Sequence, residues 1–547
     1  MNPPFLPRNT YIFLFVVLGI VYVVGLFVPL MDNDSAHHAT IALRMHLTGD
    51  YVNLVDNGKD YLDKPHLLFW LCAVSYKIFG VTTVAYKLPS FLFTIGGVYS
   101  TYRFGKELYN NETGKLAALV IASSFAFVLA NNDVRMEAIL TACVAFSTWQ
   151  GVAFINHKRI INTGGLAFGL ALGFCTKGHI AVFIPAIGLF FYILYKREWN
   201  LFYNWKWVIV LLFFALFISP VVYCYYLQYN QHPKKIINGR DHINGVKFIL
   251  LDQSIERFSG QAGSSSKKDY LFFIHSFLWA FAPWSIFCCW AIIDKLKKGF
   301  NKSEWLTAVT IIIMAIVVGL SGFKLPHYLN IVFPAASVLT AGWLLENSRR
   351  GKVIYRIQLS LAILILLLSA VLNFWFFPIK NYLVVAGMIF LLAVFFHFTR
   401  SKIFSSFQKA IGLSVSSLAL LFFLYNSNYS PQLLTYQCGK ELAKKIKGKI
   451  DPAEIYFWKN NYSSSFNFYT STLRKEFADS MLDNKAKARI QFDKDYRQEI
   501  LDSGYMLKEV FEAPDYEITK ADLKFLNPAT RERVLSRSFI AEISRAR

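Results

Sequence analysis

Apolar residues in this chain fall in long unbroken runs, not in the two-residue alternation of a half-buried strand. Such runs recur near 11–30, 86–105, 116–131, 138–156, 163–175, 180–195, 207–229, 270–293, 305–322, 328–346, 354–377, 381–398 and 409–428. About 20 apolar residues span the hydrocarbon core of a bilayer as a helix. The pattern therefore predicts an all-α polytopic membrane bundle of about thirteen transmembrane helices. The run 163–175 is short and holds Gly164, Gly165, Gly169 and Gly173, which points to close helix packing or a half-span. The first run, Tyr11 to Leu30, follows Arg8 and lacks a small-x-small cleavage site, so it reads as a retained first span.

Three longer polar segments interrupt the runs, at 31–85, 230–269 and 430–547. In the first, Ile41, Ala42 and Met45 have helical spacing, giving a helix on the membrane surface up to Gly49-Asp50. The last has its own periodicities. Leu434, Cys438, Leu442 and Ile446 recur every four residues, as on a helix face. Residues 454–458, 466–469 and 505–511 read as strands. The expected division is a membrane domain at 1–429 and a small α/β domain outside the membrane at 430–547.

Composition agrees. Of 547 residues, 55% are hydrophobic and 17% charged, whereas about a quarter of a soluble protein is charged. The net charge of +22 would suit nucleic acid, an anionic surface or an anionic substrate. Its distribution decides. Eighteen Lys/Arg lie in one alternating set of short connections; the opposite set holds four, Arg135, Lys177, Lys324 and Lys380. By the positive-inside rule the rich set is cytoplasmic, and the long loops and tail face outward. The loop 230–269 carries seven Lys/Arg of its own, against that bias. Most of the basic excess is thus an orientation signal, and nucleic acid is excluded as a partner. Six of the seven cysteines lie in or beside apolar runs, with no CxxC pair to suggest a metal or redox site.

The informative residues are the few ionisable ones on the outer side. Asp34 follows the first span in Asp32-Asn33-Asp34-Ser35, where the plain reading is a helix N-cap. His37 and His38 diverge by about 100° on a helix, so one polar contact and one solvent-facing ring are expected. In Tyr61-Leu62-Asp63-Lys64-Pro65, Pro65 suits a first helical turn and Asp63 its cap; the sharper reading sets a carboxylate beside an ammonium at the membrane face. Glu137 closes the turn Asp133-Val134-Arg135-Met136-Glu137. Lys177 and Lys324 occupy short outer turns, where snorkelling is the plain reading and anion binding the sharper one. Arg257, in Glu256-Arg257-Phe258, adds a guanidinium. Together these suit an amphiphile with a phosphate head at the outer leaflet. A divalent metal there would need hard oxygen ligands, for which Asp34 and Asp63 are the candidates.

In order and spacing these segments resemble the GT-C-type membrane glycosyltransferases, in the branch of the aminoarabinose lipid A transferase and the protein mannosyltransferase-like enzymes. The resemblance covers roughly residues 11–345. It is carried by Asp34, Met45…Gly49-Asp50, Tyr61-Leu62-Asp63-Lys64-Pro65, Arg135-Met136-Glu137, Thr176-Lys177-Gly178, Ile255-Glu256-Arg257-Phe258, Ala282-Pro283-Trp284 and Lys324-Leu325-Pro326 with Tyr328. It implies transfer of a sugar from a polyprenyl-phosphate donor to a periplasmic acceptor: a lipid such as lipid A, a glycan or a protein. It also implies residence in the bacterial inner membrane, with the active site and the C-terminal domain periplasmic. Asp34 and Asp63 match the catalytic acids, and Lys64, Glu137, Lys177, Lys324 and Tyr328 match donor-binding positions. The family's first motif has a second acid where Ser35 stands, and another where Thr40 stands, which argues against aminoarabinose and lipid A as the specific pair. Two rival classes remain open from the residues alone, a lipid-linked sugar flippase and a non-catalytic assembly subunit. The near absence of charge inside the runs argues against the flippase, because transporters place ionisable groups at mid-bilayer.

Overall fold

The computed structural model describes residues 5–545 except 238, 240, 254, 257–268, 301, 321–323, 460 and 484–485. Among the described residues, eight helices are long and apolar enough to cross a membrane: Arg8–Gly25, Glu137–His157, Ile160–Lys177, Lys206–Asn230, Pro326–Glu346, Ser348–Phe376, Tyr382–Arg400 and Ser406–Tyr436. Each falls on one of the thirteen runs. The run 116–131 forms a bent pair, Asn111–Ala122 and Phe125–Asn132, angled by 53°. Hydroxyls make that bend. Ser123 and Ser124 donate from Oγ to the carbonyls of Leu119 and Val120, which lets the backbone leave the helix between them.

The other four runs take different forms. The run 86–105 lies on Thr83–Leu108, whose 26 residues include Lys87, Arg103 and Lys106. The run 180–195 is the 17-residue helix Ile180–Lys196, with Pro185 inside it. The run 270–293 divides into Phe272–Ala280 and Ser285–Lys298. The run 305–322 is the 15-residue helix Leu306–Leu320.

We label the elements around the site α1 (Arg8–Gly25), α2 (Asp34–Thr48), α3 (Leu67–Phe79), α4 (Thr83–Leu108), α5 (Asn111–Ala122), α6 (Phe125–Asn132), α7 (Glu137–His157), α8 (Ile160–Lys177), α9 (Ile180–Lys196) and α10 (Lys206–Tyr225). Of the two readings of 163–175, the half-span does not form: the run lies on the full 18-residue α8. The close packing foreseen from its glycines is present. A Cβ on Gly169 would lie 2.5 Å from the Ser147 hydroxyl, and one on Gly165 2.7 Å from the Gln150 side chain, so only glycine lets α8 approach α7 this closely.

The first loop folds as α2, a two-residue hairpin β1 (Val55–Asp56) and β2 (Lys59–Asp60), and α3. Gly49 ends α2 at φ 70°, a left-handed cap that glycine adopts without strain. Gln228, past the end of α10, bonds both backbone groups of Leu54, at 3.0 and 2.8 Å, and so fixes the hairpin to the bundle.

The C-terminal segment carries a four-stranded sheet in the order β3 (Ile455–Phe457), β4 (Ala488–Asp493), β6 (Ser536–Arg545), β5 (Tyr505–Asp515). The first pair is parallel and the other two antiparallel. The helix read from the four-residue spacing is Cys438–Ile446, and the strands read at 454–458 and 505–511 are β3 and β5. The strand expected at 466–469 is instead the helix Ser464–Thr470. Ser463 caps it, accepting from Phe466 N. Its alternating aromatics mimic a strand because they enter two different cores. Phe466 packs with Leu442, Ile455 and Ile540, while Phe468 packs with Ala36, Leu43, Tyr76 and Tyr86 of the first loop and α4.

Candidate active site

Antiparallel packing brings the first residue of α7 beside the last residue of α8. Glu137 and Lys177 meet there, Nζ to Oε1 2.5 Å, with side chains only 5% and 9% exposed. The Lys177 ammonium also lies over the Tyr328 ring, 4.2 Å from its centroid. His327 approaches Glu137 at 3.6 Å and sets its ring edge-on to Tyr328. Three turns that are remote in sequence thus form one acid–base cluster at one end of the bundle.

A second group stands next to it. Asn33 caps α2 by accepting from Ser35 N at 2.8 Å, so Asp34 is not the cap but the first helical residue. Its carboxylate is thereby freed from the backbone and is half-exposed. Arg135 donates from Nη1 to Asp34 Oδ2 at 2.8 Å and from Nε to Asp133 Oδ2 at 3.0 Å. Asn33 Nδ2 reaches the same Asp133 oxygen at 3.2 Å, so the cap of α2 and the turn before α7 are tied twice. Burial lowers the Arg135 pKa, but the charges of Asp133, Asp34 and Glu137 outweigh it and hold it above its ordinary value. Glu137 is therefore electrostatically part of this group too.

The third group lies on the loop before α3. Lys64 pairs with Asp63, and the Tyr61 hydroxyl donates to Asp63 Oδ2 at 3.4 Å. The Asp63 carbonyl accepts from Gln253 at 3.0 Å. Asp63 caps no helix: α3 starts at Leu67 with His66 at its N-cap and Pro65 just outside, because the Asp63 carboxylate is engaged by Lys64. His37 pairs with Asp56 at 2.9 Å. His38 is buried and stacked on His37, with centroids 5.7 Å apart. Of the two rings, His38 is buried against Phe69 of α3, while His37 stays 28% exposed and makes the polar contact. Burial lowers His37, yet its hydrogen bond to Asp56 and the charges of Asp56, Asp34 and Asp63 give a net upward shift. His38 is held well below its ordinary value by burial first, then by His37 and Lys64, against Asp63 and Glu137. One ring therefore senses residues of both flanking groups.

Lys324 is placed apart from these pairs. It donates to the Asp269 carbonyl at 2.7 Å and lies 5.7 Å from the Tyr270 ring centroid. Arg257 lies outside the described residues. As a metal site the geometry fits poorly: Asp34 is held by Arg135 and Asp63 by Lys64. Among the described residues no three His, Cys, Asp or Glu side chains gather to hold a metal.

Below the Glu137–Lys177 pair, α4, α7 and α8 enclose an apolar groove of about 370 Å³, lined by residues including Phe93, Gly96, Cys143, Phe146, Gly169 and Leu172. At 1.5 Å per residue its floor lies roughly 8–14 Å from the pair.

Sequence reading missed Asp32. It accepts from the hydroxyls of Ser463 and Ser465, at 2.9 and 2.7 Å, and from Ser465 N at 3.1 Å. Leu30 N donates to the Tyr469 hydroxyl at 2.8 Å, and Thr40 Oγ1 to the Ser464 carbonyl at 2.9 Å. The C-terminal segment thus grips α2 on both sides of Asp34. Only the cap-like Ser463-Ser464-Ser465 could have hinted at this, and it does not name a partner more than 400 residues away.

The model of the family described as dolichyl-phosphate-mannose-protein mannosyltransferase matches residues 63–224. An undecaprenyl phosphate-alpha-4-amino-4-deoxy-L-arabinose arabinosyl transferase of Pseudomonas aeruginosa is 23% identical over 355 residues, covering 63% of this chain and 61% of that protein. The chain thus matches about three fifths of the length of that relative. An uncharacterised protein of Aquifex aeolicus is 24% identical over 77% of this chain and 78% of its own length. Among solved structures, ArnT from Cupriavidus metallidurans bound to undecaprenyl phosphate superposes with a TM-score of 0.75 at 15% identity, over 98% of both chains. The archaeal oligosaccharyltransferase AglB from Archaeoglobus fulgidus gives 0.51 at 9% identity, over 92% of this chain and 70% of that one. The chain therefore shares the fold of the ArnT structure over 98% of both chains.

Proposed function

We propose that the protein is a membrane glycosyltransferase that takes its sugar from a polyprenyl-phosphate donor. The observation that carries this reading is the convergence of Asp34, Arg135, Asp63, Lys64, Glu137 and Lys177 at one end of the bundle, directly above an apolar groove. A lipid with an anionic head needs that pairing: cations where the head lies and an apolar channel for its tail. The arabinosyl transferase relative, named for its undecaprenyl-phosphate donor, supports the same reading.

In this reading Lys64, Lys177 and Tyr328 receive the donor phosphate, with Lys324 at the side and Arg257 added by resemblance. The polyprenyl tail occupies the groove between α4, α7 and α8. Asp34 faces the acceptor. The acceptor oxygen attacks the anomeric carbon, the carbon–oxygen bond to phosphate breaks, and the configuration inverts. Polyprenyl phosphate leaves with the bond's electron pair, stabilised by the lysines, so no acid is needed there. The proton of an acceptor hydroxyl passes to Asp34. Asp63 holds Lys64 in place, and Glu137 does the same for Lys177. No step is routed through a metal.

The same reading assigns thirteen spans, a catalytic domain at 1–429 and a periplasmic domain at 430–547. It places the protein in the bacterial inner membrane with the site on the periplasmic face, and its acceptor among envelope lipids, glycans or proteins. Mass spectrometry of envelope glycans and glycolipids from cells with and without the protein tests it. We expect one sugar modification to disappear from the cells without the protein and its polyprenyl-linked donor to accumulate. Identical profiles would overturn the reading.

A further inference from the structure

The bundle has a second polar cavity, at the end opposite Glu137 and Lys177. It measures about 310 Å³ and opens between the ends of α4, α9 and the helices Ser285–Lys298 and Phe333–Glu346. The 17 residues of α9 put it roughly 25 Å from Lys177. It is therefore not part of the site described above.

Seven charged side chains line it, Lys196, Lys295, Lys298 and Lys302 against Asp294, Glu304 and Glu346. The acids are all committed. Glu304 takes Lys295 Nζ at 2.5 Å and the Thr307 hydroxyl at 2.7 Å, and also bonds the Tyr109 hydroxyl. Asp294 takes Trp343 Nε1 at 2.5 Å, and Glu346 takes Lys298 at 2.8 Å. Among the described residues, no carboxylate pairs with Lys196 or Lys302, and both are exposed. The Ser303 hydroxyl lines the cavity, buried and without a hydrogen-bond partner. An unsatisfied donor and two ammonium groups without a carboxylate partner, Lys196 lying 5.8 Å from the Tyr192 ring centroid, call for an anion with several acceptor oxygens.

The surroundings say which anion. On the helix that carries Lys298, Ile293 and Leu296 are 45% and 52% exposed, and Phe300 follows at 36%. Tyr192, buried, and Tyr195 line the cavity with stacked rings, centroids 6.5 Å apart. Exposed aliphatic residues beside a basic, tyrosine-lined cavity match the headgroup level of a bilayer. A freely soluble anion would have no use for them.

We propose that this cavity binds the phosphodiester headgroup of an anionic phospholipid from the leaflet opposite the active site. Lys196 and Lys302 contact the phosphate, Ser303 donates a hydrogen bond to it, and the acyl chains run along Ile293 and Leu296. The full chain, purified in detergent, is loaded with phosphatidylglycerol or phosphatidylcholine and examined by native mass spectrometry, beside the K196Q/K302Q double variant. We expect the wild type to retain phosphatidylglycerol over phosphatidylcholine and the variant to lose that preference by about thirtyfold, at about fivefold per basic side chain facing an anionic head. Both lysines are exposed, so an unchanged thermal midpoint is expected and serves as the folding control. Equal retention of the two lipids, or full retention by a folded variant, would overturn the proposal. Displacement of the lipid by millimolar inorganic phosphate would overturn it as well, because the cavity would then be a site for a soluble anion.

Discussion

Arg135 Nη1 holds Asp34 Oδ2 at 2.8 Å while the other side of the same guanidinium grips Asp133. One planar fork therefore sets the direction of the half-exposed carboxylate. A pair this exposed stabilises a fold by about 0–1 kcal/mol, so its purpose is orientation. Lysine supplies the charge without the fork. We expect Arg135→Lys to keep normal insertion and thermal stability while lowering transfer by roughly tenfold to a hundredfold, the range for a displaced catalytic group. Full activity would show that Asp34 needs no such support.

The Glu137–Lys177 pair answers differently, because it is buried. Removing one partner strands a charge, at a cost of about 3–5 kcal/mol. Glu137→Gln and Lys177→Met should each lower the thermal midpoint clearly. The double variant should recover most of that loss, since no unpaired charge remains, and yet stay inactive for want of Lys177. Thermal unfolding beside a transfer assay separates the two roles. An active double variant would remove Lys177 from the donor site.

Asp32 links the C-terminal segment to the helix that bears Asp34. Hydrogen bonds to a charged group contribute about 1.5–3 kcal/mol each, and Asp32 accepts three. Asp32→Ala should make the segment 430–547 several-fold more sensitive to limited proteolysis and reduce transfer, with the membrane bundle intact. Unchanged proteolysis would mean that Tyr469 and Thr40 suffice to hold the contact.

His66 provides a pH signature. Its Nε2 donates to the Val52 carbonyl at 2.9 Å, and burial pulls its pKa down to about 4. The unfolded chain takes a proton at about 6.5, before the folded one does. Stability is thus full above that value, falls as pH drops toward 4, and loses about 3 kcal/mol in all. Thermal midpoints of the wild type and His66→Gln should converge as pH falls from 7.5 to 4.5. A constant gap across that range would contradict this origin.

Hydropathy made the bundle legible, because among the described residues the apolar runs fall on helices, eight of them long and apolar enough to cross a membrane. What it hid were breaks made by local bonds. The serine hydroxyls bend the run 116–131 at Ser123 and Ser124, and the glycines of α8 make close contacts rather than a half-span. Charge beside the apolar runs singled out Asp34, Asp63 and Lys64 in the first loop, and Glu137 and Lys177 in short turns, as candidates, because charge stands out against apolar surroundings. The partners were not legible. Arg135 was visible as an outer charge, but its grip on Asp34 depends on Asn33 taking over the cap. Phe466 and Phe468 alternate like a strand because the second core lies in another part of the chain.

The most direct measurement is transfer of a radiolabelled sugar from a polyprenyl-phosphate donor by the purified, reconstituted protein and its Asp34→Asn variant. The exchange keeps the shape of the side chain and removes only a pair worth about 0–1 kcal/mol, so both proteins should be equally folded. We expect labelled product and free polyprenyl phosphate from the wild type, and a loss of at least about a hundredfold in the variant, as for removal of a general base. Equal rates from the two proteins, or uptake of the labelled lipid with no covalent product from either, would contradict sugar transfer at Asp34.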